Sequence, residues 1–352
     1  MKKSYFRPEI DQMAGYVPGE QPKLTRLVKL NTNENAYPPS PELQAILAGF
    51  DLDRLRRYPD PNADALREAV AGRWGVKLDQ VIAGNGSDDI LTMIFRAFTA
   101  PDKPVACPEP TYSLYPVLAA MQGAPVKKIA LAPATFSLPD DFLEQATGAN
   151  LLVIARPNAP TGNSFPLGAM ERICDNFDGV VLIDEAYADF AADNCAKLVN
   201  GRDNVIVCRT FSKSYSLAGL RLGYAVSSPQ IINGLFKLKD SYNLDALTQA
   251  LGLAAYRDVA YFAGNVEKIK ATREAAAAGL AELGFTVIGS ETNFLFASPP
   301  GGDGEKYFRY LRERAIIVRY FPGEATGKFV RITIGTPEQM AEFFNATRGY
   351  LS

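Results

Sequence analysis

The sequence contains no histidine in its 352 residues. This absence excludes every catalytic triad built on an imidazole, and it removes a common ligand of zinc sites. Any general base must therefore be a lysine, a carboxylate or a tyrosine. We expect no metal centre.

Cysteine is also scarce. Four cysteines occur, Cys107, Cys174, Cys195 and Cys208, and no two of them form a CxxC pair. Such spacing gives no metal or redox motif. We therefore expect reduced thiols packed inside the fold.

Excess charge and long apolar runs are missing as well. The net charge of −2 gives no electrostatic case for a nucleic-acid or membrane partner. No stretch approaches 18 uninterrupted apolar residues, and the first residues lack the apolar segment of a signal peptide. These features predict a cytoplasmic protein.

What is present is an ordinary globular composition, 47% hydrophobic and 22% charged, at a length that suggests about two domains. Strand and helix patterns alternate from residue 45 to about 255, which predicts an α/β domain with a mostly parallel sheet between helices. A long Ala-rich helix over 254–283, with Arg273 exposed, and short strands at 285–288, 293–297, 316–318 and 329–334 predict a smaller α+β domain. The predicted divisions are 1–44 for an N-terminal arm and joining segment, 45–255 for the large domain and 256–352 for the small one.

A lysine follows a strongly predicted strand at 205–209. Thr210 and Ser212 interrupt the apolar pattern just before Lys213, and Arg221 lies eight residues beyond it. Hydroxyls, a lysine and an arginine at this spacing can surround one phosphate. A surface lysine after a core strand is the alternative.

A second anion-binding pattern lies upstream. The strand at 81–83 is followed by a glycine turn through Gly86, and Ser87 and Asp88 then open a helix. Glycine allows close approach of the backbone, and free N–H groups at a helix start favour an anion. Ser87 or Asp88 as a simple helix cap is the alternative.

Three charged residues lie in or beside apolar strands. Asp184 follows the apolar run 180–183 and needs a partner, unless it only caps a helix. Arg331 lies within a strand and Arg319 follows another, where a substrate anion or a buried salt bridge would pair each charge. Sequence leaves both readings open for Arg319.

The segment around Lys213 resembles the cofactor-binding lysine segment of fold-type I pyridoxal-phosphate aminotransferases. Further motifs are similar, in the same order, to those of the histidinol-phosphate aminotransferase family: LNTNENAYPPS at 30–40, RYPDP at 57–61, GNGSDD at 84–89, PTY at 110–112, RPNAPTG at 156–162, DEAY at 184–187 and RITIG at 331–335. The resemblance spans nearly the whole chain. It departs from the family pattern at Ala36, Arg156 and Ala159.

The resemblance implies pyridoxal 5'-phosphate as cofactor and a role for each matching residue. Lys213 would bond to the cofactor and later move a proton, with Asp184 at the pyridine nitrogen, Tyr187 and Asn158 at the phenolic oxygen, and Tyr112 flat against the ring. The remaining cofactor contacts would come from Gly86, Ser87, Asp88, Thr210, Ser212 and Arg221.

The same resemblance implies a homodimer in which Tyr58 reaches the neighbouring site. Arg331 would bind a substrate carboxylate, with Arg319, Tyr16 and Asn33 as further substrate contacts. The implied reaction is amino transfer between histidinol phosphate, a phosphorylated amino alcohol, and 2-oxoglutarate, a 2-oxo acid. An aromatic or other aminotransferase, a lyase like threonine-phosphate decarboxylase and a non-catalytic binding protein are the alternatives.

Overall fold

The computed structural model describes residues 4–23 and 26–352. Numbered in chain order, its helices are α1 Pro8–Gln12, α2 Glu42–Ala48, α3 Asp64–Trp74, α4 Ser87–Phe98, α5 Leu114–Met121, α6 Phe142–Ala146, α7 Leu167–Asn176, α8 Pro229–Phe236, α9 Ala246–Arg257, α10 Val259–Glu282, α11 Gly304–Glu313 and α12 Pro337–Leu351. Its strands are β1 Val28–Lys29, β2 Val81–Gly84, β3 Val105–Glu109, β4 Val126–Ala130, β5 Leu151–Ala155, β6 Val180–Asp184, β7 Val205–Thr210, β8 Gly223–Val226, β9 Thr286–Ile288, β10 Phe294–Ser298, β11 Ile316–Ile317, β12 Arg319–Tyr320 and β13 Val330–Thr333.

The large sheet has seven strands in the order β2-β8-β7-β6-β5-β3-β4. Strands β3 to β7 pair in parallel, whereas β8 runs antiparallel to both of its neighbours. The mostly parallel sheet predicted from the alternating pattern is therefore confirmed. In such sheets ligands bind beyond the carboxyl ends of the strands.

Both faces of the large sheet are covered, which explains why its central strands are apolar throughout. In β5, Leu152 and Ile154 belong to one hydrophobic cluster while Leu151 and Val153 belong to the other. Successive side chains of a strand point to opposite faces, so a strand buried on both sides needs an apolar residue at every position. Because the middles of the strands are buried and apolar, only the polar residues at the strand ends can contribute to a site.

The small sheet is antiparallel, in the order β12-β13-β10-β9, and packs on a third hydrophobic cluster. The single strand predicted at 316–318 is in fact two short strands. Ile316 pairs in parallel with Val28 of β1, while Arg319 pairs with Arg331 of β13. The chain therefore changes partners at Val318, and the N-terminal segment is tied to the C-terminal part of the protein.

The long helix predicted over 254–283 is two helices, α9 and α10. They meet at Asp258, whose Oδ1 accepts a hydrogen bond from the Tyr261 N–H at 3.2 Å and so caps α10. The prediction that Arg273 is exposed is wrong, because its guanidinium is buried and donates to the carbonyls of Phe190 and Thr292. The divisions at residues 44 and 255 stay a prediction.

The four cysteines are free and buried, as predicted. Burial raises the pKa of the Cys107 thiol to about 12 and that of Cys174 to about 11. No helix in residues 4–23 and 26–352 is long and apolar enough to cross a membrane. In the same ranges, no cluster of cysteine and carboxylate side chains is suited to a metal ion.

Candidate active site

A cavity of about 200 Å³ lies beyond the carboxyl ends of β6 and β7. Side chains from both sheets and from the N-terminal arm line it. Most of the site residues predicted from the sequence meet here: Tyr16, Asn33, Ser87, Asp88, Tyr112, Asp184, Tyr187, Thr210, Ser212, Lys213, Arg221, Arg319 and Arg331. Residues more than 300 positions apart in sequence thus share one cavity.

Lys213 lies in the turn that follows β7, and its amine reaches the cavity. Its Nζ donates a hydrogen bond to the Thr32 carbonyl at 3.1 Å and lies 5.8 Å from the ring centroid of Tyr187. The Asn35 side-chain amide donates to the Lys213 carbonyl at 2.9 Å and fixes the main chain. Because the acceptor is a neutral carbonyl and the lysine side chain is long, Nζ can exchange this partner for another.

Asp184 ends β6 with its carboxylate buried inside the protein. The carboxylate accepts hydrogen bonds from the Tyr115 hydroxyl at 2.7 Å and the Ala186 N–H at 3.1 Å. Burial raises its pKa to about 6, and the bond from Tyr115 limits that rise. Because neither donor is a cation, the site suits a cationic N–H such as a protonated pyridine nitrogen.

An anion-binding cup lies at the start of α4. Gly86 caps this helix with φ +82°, so the first N–H groups, from Ser87 onward, point into the cavity. Facing them, Arg221 Nη1 donates to Ser212 Oγ at 3.2 Å, and Thr210 Oγ1 donates to the same oxygen at 3.0 Å. A Cβ on Gly86 would lie 2.4 Å from Arg221 Nη2, so the cup requires glycine there.

Asp88 lies in this cup and brings a negative charge to it. Its carboxylate lies 3.4 Å from Arg221 Nη2 and 3.4 Å from the Tyr112 hydroxyl. The Asp88 N–H group at the helix start, and not its carboxylate, suits a bound phosphate. Tyr112 completes the wall, with its ring edge-on to Tyr16 of the arm at 5.9 Å between centroids.

Two arginines without an acidic partner lie at the other end of the cavity. Among the described residues, neither Arg319 nor Arg331 forms a salt bridge, so the alternative of a buried pair is wrong. Arg331 Nη2 donates to the Asn31 carbonyl at 2.9 Å, and its buried Nε has no partner. Burial, assisted by the charge of Arg319, lowers the pKa of Arg331. An incoming anion would satisfy both charges.

Asn33 supports Tyr187 within the cavity wall. Its side-chain amide donates to the Tyr187 hydroxyl oxygen at 2.8 Å, and its Oδ1 accepts from Thr333 Oγ1 at 3.0 Å. The Tyr187 O–H proton remains available for a ligand. Asn33 thus orients a neighbour, and its predicted substrate contact stays a prediction.

Three predicted residues do not line the cavity: Gly86, which caps α4, and Asn158 and Tyr58. Asn158 is fully buried, and its amide donates to the Pro110 carbonyl at 3.0 Å and to Thr161 Oγ1 at 2.7 Å. Both of its amide hydrogens therefore have protein partners, and its cofactor contact stays a prediction. Tyr58 is 80% exposed and stacks on Tyr242, with centroids 4.3 Å apart.

The departure from the motif at Arg156 has a structural explanation. The side chain is buried, with Nε donating to the Phe165 carbonyl at 2.7 Å and Nη2 to Asp193 Oδ1 at 2.5 Å. Arg156 therefore ties the loop after β5 to the loop that follows β6.

Sequence reasoning missed three contacts. Tyr115, which bonds to Asp184, lies three residues after Tyr112 but is not among the predicted site residues. Asn35, which bonds to the Lys213 carbonyl, lies in the LNTNENAYPPS motif without a predicted role. The Thr32 contact to Lys213 uses a backbone carbonyl, for which no side-chain signal exists.

Comparison with known proteins agrees with this geometry. The family model described as aminotransferase class I and II matches residues 25–346. The chain belongs to that family. Histidinol-phosphate aminotransferase 1 of Nostoc sp. is 44% identical to this aminotransferase over 349 residues, covering 99% of this chain and 98% of the relative.

Solved structures share the fold at lower identity. Histidinol-phosphate aminotransferase from Sinorhizobium meliloti, in complex with pyridoxal-5'-phosphate, has a TM-score of 0.87 at 23% identity and covers 99% of each chain. L-threonine-O-3-phosphate decarboxylase from Porphyromonas gingivalis has a TM-score of 0.80 at 23% identity, covering 92% of this chain and 99% of that one. At these identities the likeness shows the fold alone.

The family depends on pyridoxal 5'-phosphate, and the cavity of this aminotransferase fits that cofactor. The cup at Ser87 suits its phosphate, and the buried Asp184 suits its ring nitrogen. Lys213 lies on the same cavity wall, where its amine can reach an aldehyde. These fits rest on donor sets that the protein presents without the cofactor.

We predict that Gly223→Ala disturbs the cup. A Cβ there would lie 2.6 Å from the Ser87 backbone nitrogen and 2.9 Å from the Arg209 carbonyl, so backbone atoms must shift. We expect a loss of about 1–3 kcal/mol in the free energy of unfolding, and weaker cofactor binding. Urea unfolding and a titration with pyridoxal phosphate measure the two effects.

Gly234→Ala is the matched control, because nothing lies within 4 Å of its added Cβ and it lies inside α8. It should stabilise the protein by up to about 1 kcal/mol and leave cofactor affinity unchanged. Equal affinity in the two variants would contradict the assignment of the cup.

We predict that Asp184→Asn stabilises the cofactor-free protein. In the protein loaded with pyridoxal phosphate, the same substitution should abolish most of the aminotransferase activity. The folded-state pKa of about 6 lies above the ordinary value of 3.8. The charged form therefore destabilises the fold increasingly as pH rises from about 4 to about 6, and a shift of two units is worth about 3 kcal/mol. Asparagine removes that cost but cannot hold a ring nitrogen protonated.

Urea unfolding of the cofactor-free proteins at pH 5 and pH 7.5 tests this expectation. The stability gain of Asp184→Asn should be larger at the higher pH, whereas the exposed Asp178→Asn should show little change at either. A gain that does not depend on pH would show that the buried charge is not its cause.

Proposed function

We propose that this aminotransferase transfers an amino group between histidinol phosphate and 2-oxoglutarate. The observation that carries the proposal is the pair Arg319 and Arg331, which face the cavity of Lys213 without acidic partners. They suit a substrate with an anion remote from its amine: the phosphate of histidinol phosphate or a carboxylate of the 2-oxo acid. The full-length similarity to the Nostoc relative, named for this reaction, supports the same choice.

In the proposed reaction the protein positions groups and moves protons. Bound pyridoxal phosphate supplies an electron sink for the charge left on the substrate carbon when its proton departs. Lys213 Nζ would accept that proton and would later return one to the cofactor carbon that carries the transferred nitrogen. Asp184 would keep the ring nitrogen protonated, and the Tyr187 hydroxyl would donate a hydrogen bond to the phenolic oxygen.

The substrate end of the cavity has its own task. Arg331 is held at Nη2 by the Asn31 carbonyl, which leaves its Nε to meet the substrate anion. Arg319 is held by the Val17 and Pro18 carbonyls of the arm, each at 3.2 Å. These bonds support a site in which Tyr16 and Arg319 would contact the substrate together.

We further propose a homodimer in which Tyr58 completes the neighbouring site. In one chain Tyr58 lies outside the cavity, next to a surface with other exposed large apolar side chains, among them Leu52 and Leu55. Exposed apolar patches of this kind mark protein interfaces. A second copy of the chain would cover this surface and receive Tyr58.

The amino-transfer proposal predicts two spectral changes in the loaded protein. Adding histidinol phosphate should remove the visible absorption of the lysine-bound cofactor, and 2-oxoglutarate should then restore it. Absorption spectroscopy records both half-reactions. The Lys213→Ala protein should bind cofactor without turnover.

A lyase gives a different result. It would release carbon dioxide from threonine phosphate and would leave the cofactor in its starting form. No change with histidinol phosphate, together with carbon dioxide from threonine phosphate, would replace our proposal with the lyase.

The shared site predicts complementation between two inactive variants. Lys213→Ala and Tyr58→Ala chains, refolded together, should form mixed dimers in which one site has both native residues. We expect activity to rise to about a quarter of the native value for random pairing, since half of the dimers are mixed and each has one native site. If Tyr58 served the site of its own chain, mixing would restore nothing.

A further inference from the structure

Four side chains outside the cavity lining form a connected set, which we call the ion network: the buried Glu185 and Ser214 and the partly buried Asp189 and Arg209. Arg209 donates from Nε and Nη2 to Glu185 Oε2 at 2.9 and 2.6 Å, and from Nη1 to Asp189 Oδ1 at 2.7 Å. The Ser214 hydroxyl donates to Asp189 Oδ2 at 2.5 Å. These four side chains do not line the cavity.

Each member of the network is a near neighbour of a site residue in sequence. Glu185 follows Asp184, Asp189 lies two residues after Tyr187, Arg209 precedes Thr210, and Ser214 follows Lys213. The network therefore joins the segments that carry the carboxylate, the tyrosine and the lysine. It does so without contacting the space that a ligand fills.

The need to pair the charge of Arg209 does not explain the hydrogen bond from Ser214 to Asp189. Burial opposes the charge on Arg209, but Glu185 and then Asp189 raise its pKa overall. Glu185 alone makes two hydrogen bonds to the guanidinium, which would satisfy the buried charge. The short bond from Ser214 to Asp189 adds no ion pair. Its effect is to fix the residue that follows Lys213.

The main chain at Lys213 is thus held on both sides. Ser212 is fixed from the cup by Thr210 and Arg221, and Ser214 is fixed from the network by Asp189. The Asn35 amide also bonds to the Ser214 carbonyl at 3.1 Å. The side chain of Lys213 extends from this held main chain to the Thr32 carbonyl.

We infer that Asp189 and Ser214 are positioning residues, which hold the main chain of Lys213 so that Nζ reaches the reacting carbon. The inference rests on the proposed role of Lys213 as the residue that moves the proton. Proton transfer depends steeply on the position of the base, and a displacement of about 1 Å can cost on the order of 100-fold in rate. The loss of one of the several hydrogen bonds that fix this main chain should reduce the rate by less than that factor.

The test uses Ser214→Ala and Asp189→Asn in the protein loaded with pyridoxal phosphate, reacting with glutamate alone. We expect the rate of the half-reaction to fall about 10-fold, with little change in the concentration of glutamate for half-maximal rate. With glutamate deuterated at the α-carbon, the isotope effect on this rate should rise, because proton transfer becomes slower than the other steps. Cofactor affinity should stay at the native value.

Ser216→Ala is the matched control. It lies in the same turn, and its hydroxyl is buried without a hydrogen-bond partner. The native rate and isotope effect should persist in this variant. In the double variant Ser214→Ala/Asp189→Asn the two losses of rate should be less than multiplicative, because both changes act on the bond between these two side chains.

Native rate and isotope effect in Ser214→Ala, accompanied only by a lower melting temperature, would overturn the inference and leave the network a structural role. Should Asp189→Asn not fold, Ser214→Ala still decides the question. A failure of the underlying function looks different. In that case the native protein loaded with pyridoxal phosphate would itself show no half-reaction with glutamate, and both proposals would fall together.

Discussion

The buried carboxylate of Asp184 is the constraint on which the rest of the site depends. It ends a strand whose other residues are apolar, and the paired residues of the neighbouring strands, 151–155 of β5 and 205–208 of β7, are apolar too. The fold therefore keeps a group that destabilises it, with a raised pKa and only two neutral donors. A bound ligand with a cationic atom would offset this cost. The carboxylate would also orient such a ligand, with its cationic atom toward Asp184.

Charge is distributed along the cavity so that a ligand fits in one direction. The carboxylate lies at the floor, the cup of N–H groups and Arg221 lies at one wall, and Arg319 and Arg331 lie toward the arm. A molecule with a cationic ring nitrogen and a phosphate satisfies the first two. Arg319 and Arg331 would then face the substrate that reacts with this molecule near Lys213. The proposed function therefore assigns the cofactor phosphate to the cup and the substrate anion to the two arginines.

Much of this arrangement could be predicted from the sequence because the relevant residues follow apolar strands. Lys213 and Asp184 stand out where a β-branched run ends in a charge, and parallel pairing brings such ends to one edge. The glycine turn before Ser87 is visible for the same reason. The predicted sheet, with its buried central strands, follows from residues that are apolar at every position.

Other features depend on tertiary contacts that leave no local pattern. The break between α9 and α10 falls at Asp258 in a run of good helix formers, where a cap prevails over propensity. The helical spacing predicts that Arg273 is exposed, yet its buried guanidinium donates hydrogen bonds to two carbonyls from distant segments. Asn158 matches a motif, but its amide is engaged by Pro110 and Thr161, so a matching residue does not by itself give a contact. Hydrogen bonds to main-chain atoms carry no side-chain signature at the acceptor.

The position of Lys213 shows how these two kinds of information combine. Its presence after β7 is a local property, whereas its geometry depends on Thr32, Asn35 and Asp189, which lie far from it in sequence or on another strand end. The N-terminal segment can make these contacts because β1 pairs with β11, which anchors it beside the small sheet. In the proposed reaction, Lys213 acts on one atom because separate parts of the chain hold its main chain. Segments that lie beside both sheets therefore contribute to the position of this one side chain.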